Sequence, residues 1–290
     1  MSALTVRRAE WWRGFRRLGQ SSLSVLGLFV VAFALVVALA APLLAPYPHD
    51  LVGAVDTTIR FQPPNARHWF GTNEVGQDVL SLVIGGARVS LLAGIAVVAL
   101  GTIAGSIVGA CAGYFGALID EVLMRFTDLM LTVPSLILAM AVAAALGGGL
   151  GEMILAIALS WWPGYARLVR GEVVAKKQEL FVQAAQAIGA GSSHILARHI
   201  LPNIVSAIVV KVSLDIGFAI LTVASLGFIG IGVKPPMPEW GLMLAVARSN
   251  LPGYWWTAMF PGLAIFVTVY GFNLLGDGLR DMLDPRDRVR

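Results

Sequence analysis

Lysine and aspartate four residues apart stand inside the apolar run IVSAIVVKVSLDIGFAIL, as Lys211 and Asp215. In a helix this spacing puts both side chains on one face, where they can neutralise each other. Lys211 follows Asn203 by about eight residues, ~12 Å of helical rise, which sets it well inside a bilayer. A lone charge at that depth costs ~2.5–3.5 kcal/mol on insertion scales, so it needs a partner or water. Two readings stay open at this point. The pair lines a translocation path or gate, or it is a buried structural ion pair.

The other chemistry-bearing residues point away from catalysis. His49, His68, His194 and His199 are dispersed, apart from the last two. Those are five apart, a spacing that falls on different faces of an α-helix, so no metal site is expected. No G-x-x-x-x-G-K-[ST] loop occurs, so the chain does not hydrolyse ATP by itself. Gly227, Gly230 and Gly232 lie in an apolar span rather than after a strand, which removes the dinucleotide-fingerprint reading. Cys111 is the single cysteine and cannot form an intrachain disulfide. No nucleophile–base constellation can be assembled. The chain reads as a transport protein, with no cofactor of its own and no metal.

The elements that position these residues follow from composition. The chain is 57% hydrophobic and 13% charged, with a mean hydropathy of +0.78. Soluble domains carry about 25% charged residues, so most of this surface meets lipid. The net charge of +4 does not indicate nucleic acid, because the arginines sit at hydrophobic boundaries rather than along one soluble face.

Six membrane helices are expected in an all-α integral membrane protein, with both termini cytoplasmic. Residues 1–21 form a cytoplasmic segment with Arg7, Arg8, Arg13, Arg16 and Arg17, and with Trp11 and Trp12 near the interface. The first span, 22–46, is too long for a signal peptide and long enough to cross ~30 Å of hydrocarbon. Residues 47–88 form an external loop with a short interfacial helix starting near Asn73 or Glu74. Five further spans occupy 89–278. Ser90–Gly113 carries the tandem spacing Gly101, Gly105, Gly109, which lets two helix backbones approach closely. Asp120, Glu121, Arg125 and Asp128 mark a polar turn before a span over Leu129–Leu146 kinked at Pro134. The fourth span, Met153–Tyr165, delivers Arg167, Arg170, Lys176 and Lys177 to the cytoplasmic side, in agreement with the basic N-terminus. Spans over Ile204–Val233 and Ala258–Leu275 complete the set. They are separated by an external loop at 234–257 with Pro235, Pro236, Pro238, Glu239 and Trp240. Asp277 sits near the last cytoplasmic boundary, and a basic tail covers 279–290.

Between the fourth and fifth spans lies a polar island, ELFVQAAQAIGAGSSHILARHILPN, inside a cytoplasmic loop at 171–200. Phe181, Ala184, Ala185 and Ile188 fall at helical spacing and form one short apolar stripe. Gly189 stops that helix, because glycine enters the left-handed conformation without a Cβ penalty. Ser192 is a plausible N-cap for a second helix that ends as the chain meets Pro202. An ion-coupled secondary carrier would also hold polar residues at mid-membrane, but it has no need of such an island. A non-transporting assembly factor would tolerate the same six spans.

The island resembles the EAA loop of binding-protein-dependent ABC importer permeases, here Gln183-Ala184-Ala185, Gly189 and Ile200-Leu201-Pro202-Asn203. GTNEVGQDVLSLVIGGARVSL, SLGFIGIGVKPPMPEWGLML and FPGLAIFVTVYGFNLLGDGLRDMLDPR are similar to the second, C-type permease subunit of dipeptide, oligopeptide and nickel importers. The likeness runs through nearly the whole chain. It implies a type I importer fold in a bacterial or archaeal cytoplasmic membrane. The implied partners are a second homologous permease, two cytoplasmic nucleotide-binding subunits that hold ATP and Mg, and an external substrate-binding protein. It also implies that Phe181, Gln183, Ala184, Ala185, Ile188, Gly189, Leu201 and Pro202 form the joint to the ATPase. The family glutamate is Gln183 here, so that position offers a neutral hydrogen bond in place of a salt bridge. The cargo implied is a di- or oligopeptide, with nickel chelates, glutathione or modified peptides as alternatives. No family role transfers to Lys211 and Asp215.

Overall fold

The computed structural model describes residues 21–283. The basic N-terminal residues, Trp11, Trp12 and the tail arginines Arg286, Arg288 and Arg290 lie outside the described residues. Ser21 caps α1 (Ser22–Leu39), its side chain accepting from the Ser24 amide, and a short helical turn, Ala41–Leu44, follows. The next helix differs from expectation. No separate interfacial helix begins at Asn73 or Glu74; instead α2 runs unbroken from Val79 to Phe115. Asp78 sets its start by accepting from the Ser81 amide at 2.8 Å, the usual way a carboxylate satisfies an unpaired N–H at a helix N-terminus.

The expected polar turn at Asp120–Asp128 is also helical. It lies within α3 (Ala117–Thr132), which is followed by α4 (Ser135–Ala145). The two meet at an angle of 90° around Pro134, a corner rather than a kink in one straight span. Proline lacks the N–H that would continue the ladder and restricts the residue before it. α5 (Leu150–Lys177) passes through Pro163 and continues well beyond Tyr165. It leads to α6 (Leu180–Ala187), α7 (Ser192–Ile229), α8 (Trp240–Ala247) and α9 (Trp256–Leu283). The expected break between a second loop helix and the fifth span is absent: α7 joins them through a π-helical turn at Leu196–Ile200.

By length and apolar composition, α1, α2, α7 and α9 can each cross a membrane, and the bent pair α3–α4 can count as a fifth crossing. α5 has the length but not the composition, because Trp161, Trp162, Pro163, Tyr165 and Arg167 interrupt it. The packing accounts for this difference. α5 lies along the glycine stripe of α2 and buries Met153, Ile157, Tyr165, Val169 and Val173 completely. A Cβ added at Gly105 would sit 2.5 Å from Tyr165 Cβ, and one at Gly109 would sit 2.9 Å from the Arg170 amide nitrogen. The stripe continues to Gly113, where an added Cβ would lie 2.8 Å from the Arg170 carbonyl oxygen. Backbone contact this close is the purpose of small residues at four-residue spacing.

Ion pairs then tie α3 to α5 near the same end. The Arg170 guanidinium donates to both Asp120 oxygens, at 3.0 and 2.6 Å, and Arg167 donates to Asp128 at 2.7 Å. The Lys177 ammonium donates to the Tyr114 carbonyl at 2.6 Å, covering an unpaired acceptor in the last turn of α2.

Candidate functional site: the loop between α5 and α7

α6 carries two apolar faces rather than one stripe. Val182 is fully buried and Ala185 nearly so, packed with Ala110, Tyr114, Val169, Val173, Ile195, Ile200 and Ile204. The opposite face leaves Leu180 81% and Ile188 85% exposed, with Phe181 and Ala184 beside them. Ala185 therefore does not share the outward stripe expected for it. The spacing 181, 184, 185, 188 spans an arc wide enough for the tertiary contacts to divide it. Sealing Val182 contributes about 1.5–3 kcal/mol on a transfer basis, which fixes the helix to the bundle and aims the other face away. Val182 and Leu180 lie off that spacing, although both are apolar members of the same two turns.

The helix ends in a glycine motif. Gly189 has φ +81°; its N–H donates to the Gln186 carbonyl, and the Ala190 N–H reaches the Ala185 carbonyl at 3.1 Å. These two bonds form a Schellman cap, which holds the chain at a position where a Cβ is strained. Nothing crowds a Cβ added at Gly189, so its restriction is conformational, not steric contact. Gln183 is exposed, and its amide nitrogen donates at 3.0 Å to the Gln178 carbonyl, part of its own loop. Leu201 is half-buried and packs against the same buried cluster that seals α6, whereas Pro202 is exposed.

Lys211 and Asp215 meet as their spacing requires, Nζ to Oδ2 at 2.9 Å, with side chains 33% and 18% exposed. They form part of a larger polar group. Lys211 also lies over the Tyr165 ring, 4.9 Å from its centroid, and the Tyr165 hydroxyl faces Asp215 and Thr102. Among the described residues, the buried hydroxyls of Thr102, Ser106 and Tyr165 have no hydrogen-bond partner. α2, α5 and α7 thus converge on one intramembrane polar cluster. Only its α7 members were legible in sequence, since a hydroxyl or phenol in an apolar run carries no charge to flag it.

The N-terminal end of α2 holds a second polar assembly, built from residues that no sequence motif brings together. The Asp78 carboxylate accepts from the Ser81 hydroxyl at 2.8 Å and lies 3.0 Å from the His68 ring, while its own N–H donates to Asp50 at 2.8 Å. Tyr47 stacks on His68 with centroids 4.8 Å apart. Burial pushes the Asp50 carboxyl above its usual range, outweighing the Asp78 N–H that opposes the shift. Further along α2, at Ser90, fully buried Glu239 caps α8 by accepting from the Gly241 and Leu242 amides at 2.9 and 2.7 Å and from the Ser90 hydroxyl at 3.2 Å. Burial raises its pKa as well, against those three donors. Gly227 of α7 leaves the room this carboxylate occupies. Glutamate is an uncommon N-cap, so no standard start signal marks it in sequence.

Comparison with known proteins places these features. Residues 101–289 match the model of the "binding-protein-dependent transport system inner membrane component" family. The chain belongs to that family. Residues 10–64 match a second model, the "N-terminal TM domain of oligopeptide transport permease C". The probable D,D-dipeptide transport system permease protein DdpC of Escherichia coli (strain K12) is 46% identical over 266 residues, 92% of this chain and 88% of that one. The dipeptide transport system permease protein DppC of Alkalihalophilus pseudofirmus is 41% identical, over 96% of this chain and 90% of its own length. The glutathione transport system permease protein GsiD of Escherichia coli O6:K15:H31 is 45% identical with the same coverage. Among solved structures, the MetNI methionine ABC transporter in an inward-facing conformation aligns with a TM-score of 0.57 at 18% identity, covering 69% of this chain and 96% of its own. The fold is that of a type I ABC importer permease. As a member of this family the chain is a multi-pass inner-membrane permease subunit and not itself an ATPase.

Proposed function

We propose that this permease moves di- or oligopeptides inward by alternating access, driven by ATP and Mg held in two separate nucleotide-binding subunits. A second homologous permease and an external substrate-binding protein complete the machine. The observation that carries the coupling half of this reading is the two-faced α6. One face is welded to the bundle, and the other presents Leu180, Phe181, Ala184 and Ile188 bare at the end of a rigid support. A lever needs both properties, because a partner that docks equally in two states shifts neither. Phe181, Gln183, Ala184, Ile188, Gly189 and exposed Pro202 form the outward joint in this reading, while Ala185 and Leu201 hold it from behind.

The topology proposed is six crossings with both termini cytoplasmic, α5 supplying the sixth. Its 28 residues reach ~42 Å as helix, and its polar centre is tolerable because α2 and its neighbours enclose it. The segments are then 1–21 cytoplasmic, 22–46 first span, 47–88 external, 89–278 core with the loops 171–200 and 234–257, and 279–290 cytoplasmic. Lys211 and Asp215 line the path or its gate. Their partial exposure at bilayer depth favours a face turned to water or to the second permease over one turned to lipid.

The relatives named for dipeptide and glutathione transport favour peptide cargo, and glutathione, itself a small peptide, is the second reading. The deciding experiment reconstitutes the chain with its permease partner and ATPase subunits in liposomes loaded with ATP on the ATPase side. Uptake of labelled di- and tripeptides delivered by the binding protein is expected to require ATP hydrolysis. Uptake without the ATPase subunits, driven by an ion gradient, would replace this reading with a secondary carrier.

A further inference from the structure

The π-helical turn at Leu196–Ile200 overturns the expectation that His194 and His199 diverge. In an α-helix, positions five apart lie about 140° around the axis from each other. In a π-turn the backbone bond runs from residue i to i+5, and positions five apart come into register. That bond is present here, with the Leu201 N–H donating to the Leu196 carbonyl. The two imidazoles accordingly face each other, ring centroids 5.6 Å apart with planes tilted by 57°. The cause lies three residues beyond the pair. Pro202 has no N–H to give Arg198, and in a regular helix its ring would press on the Arg198 carbonyl. Widening the preceding turn relieves that clash and pulls His199 round to His194.

His194 is exposed and His199 half-buried, and among the described residues neither ring takes part in a side-chain hydrogen bond. We propose that His194 and His199 form a two-imidazole site for a divalent first-row transition-metal ion. Paired histidines on one helix face, four apart in an α-helix, are an established chelate, and five apart across a π-turn is its equivalent. Imidazole suits zinc and copper, with copper held more tightly. Among the described residues no group of three or more His, Cys, Asp or Glu side chains gathers there, so water fills the remaining positions and the ion stays exchangeable. The site spans the junction between the coupling loop and α7. A bound ion staples that turn and stiffens the connection between α6 and the membrane span.

The test uses the full chain in lipid nanodiscs, titrated with Zn2+ against a competing chelator dye and with Cu2+ by electron paramagnetic resonance. One ion per chain is expected, with two-nitrogen equatorial coupling for Cu2+. His194→Gln and His199→Gln should each weaken binding by more than about tenfold, the lower bound typical even of outer-shell partners. The double variant should be little worse than either single one. His49→Gln, whose ring belongs to the external end, should leave binding unchanged. Pro202→Ala retains both imidazoles but removes the cause of the π-turn, and it should weaken binding while monodisperse insertion persists. Wild-type affinity in either glutamine variant, or no stoichiometric ion in the wild type, overturns the site. Wild-type affinity in Pro202→Ala overturns its dependence on the widened turn.

Discussion

At the end that is external in the proposed topology, Asp50, Asp78 and Glu239 are sealed from solvent and their oxygens accept from backbone amides and from Ser81 and Ser90. At the end that is cytoplasmic in that topology, α6 is held by Val182 and Ala185 alone among its apolar residues, and its far side is bare. Directional bonds fix angles, and a buried donor without its acceptor is costly, so the external end resists rearrangement. The outward face of α6 is also apolar, and apolar contact is non-directional, so a partner docked there can change its seat without leaving an unsatisfied group behind. The rocking from the ATPase side proposed above needs that asymmetry.

The contrast can be broken at several points. Replacing Glu239 with alanine should have the largest effect. It strands two amides and a hydroxyl, each at about 1–3 kcal/mol, and the thermal midpoint in detergent should fall steeply or folded yield collapse. A midpoint within a degree or two of wild type would mean the external end is not bond-locked. Gly189→Val comes next. Strain of about 1–3 kcal/mol at a left-handed position should displace the α6 cap, and ATP hydrolysis should continue with uptake lost while insertion is intact. Normal uptake in that variant would remove Gly189 from the joint.

Leu180→Ser and Ile188→Ser should each weaken capture of the nucleotide-binding subunit, by more than about 1 kcal/mol if they are anchors of that contact. The stability of the isolated chain should not change, because both side chains are already exposed. Val182→Ser should do the reverse and destabilise the chain itself. Equal behaviour of inward and outward variants would erase the two-faced description.

A pH effect follows from the carboxyls that burial raises. The ordinary values are 3.8 for Asp50 and 4.5 for Glu239. Between each of these and its raised folded value, the native state binds more protons than the unfolded one, so stability declines as pH rises. The external end should therefore be firmest below the ordinary carboxyl range and loosen as pH passes through the raised values. Asp50→Asn and Glu239→Gln should flatten that slope in thermal denaturation measured across pH. The smallest effect is expected from Gln183→Glu. The side chain is exposed, so a restored carboxylate should change ATPase affinity by less than about 1 kcal/mol and only at low salt.

Much of this protein was legible as sequence. Apolar runs, prolines and basic boundaries mark most of the membrane helices, since lipid demands long uninterrupted apolar helices. The four-residue glycine repeat announced the close packing of α2, and the resemblance of the island singled out α6 as the proposed joint. Where an element's environment is protein rather than lipid, that legibility fails. α5 escapes the apolar rule because α2 encloses its centre and α3 pairs its Arg167 and Arg170, and α3 reads as a turn because Asp120 and Asp128 form those pairs across space. The division of the α6 stripe, with Val182 sealed and Ile188 bare, depended on what the third dimension brought against it.

The sequence by itself determined the class, the approximate positions of most apolar spans, the polar island between α5 and α7, and the Lys211–Asp215 pairing. All of these follow from local periodicity and the cost of burying charge. Only the tertiary structure decided which face of α6 looks outward, that Glu239 and Asp78 lock the external end, and that Tyr165 joins the intramembrane pair. Those outcomes depend on contacts between residues far apart in the chain. The meeting of His194 and His199 falls between the two. Its cause, Pro202, is local, but the register it creates appears only once the helix has chosen how to accommodate the missing hydrogen bond.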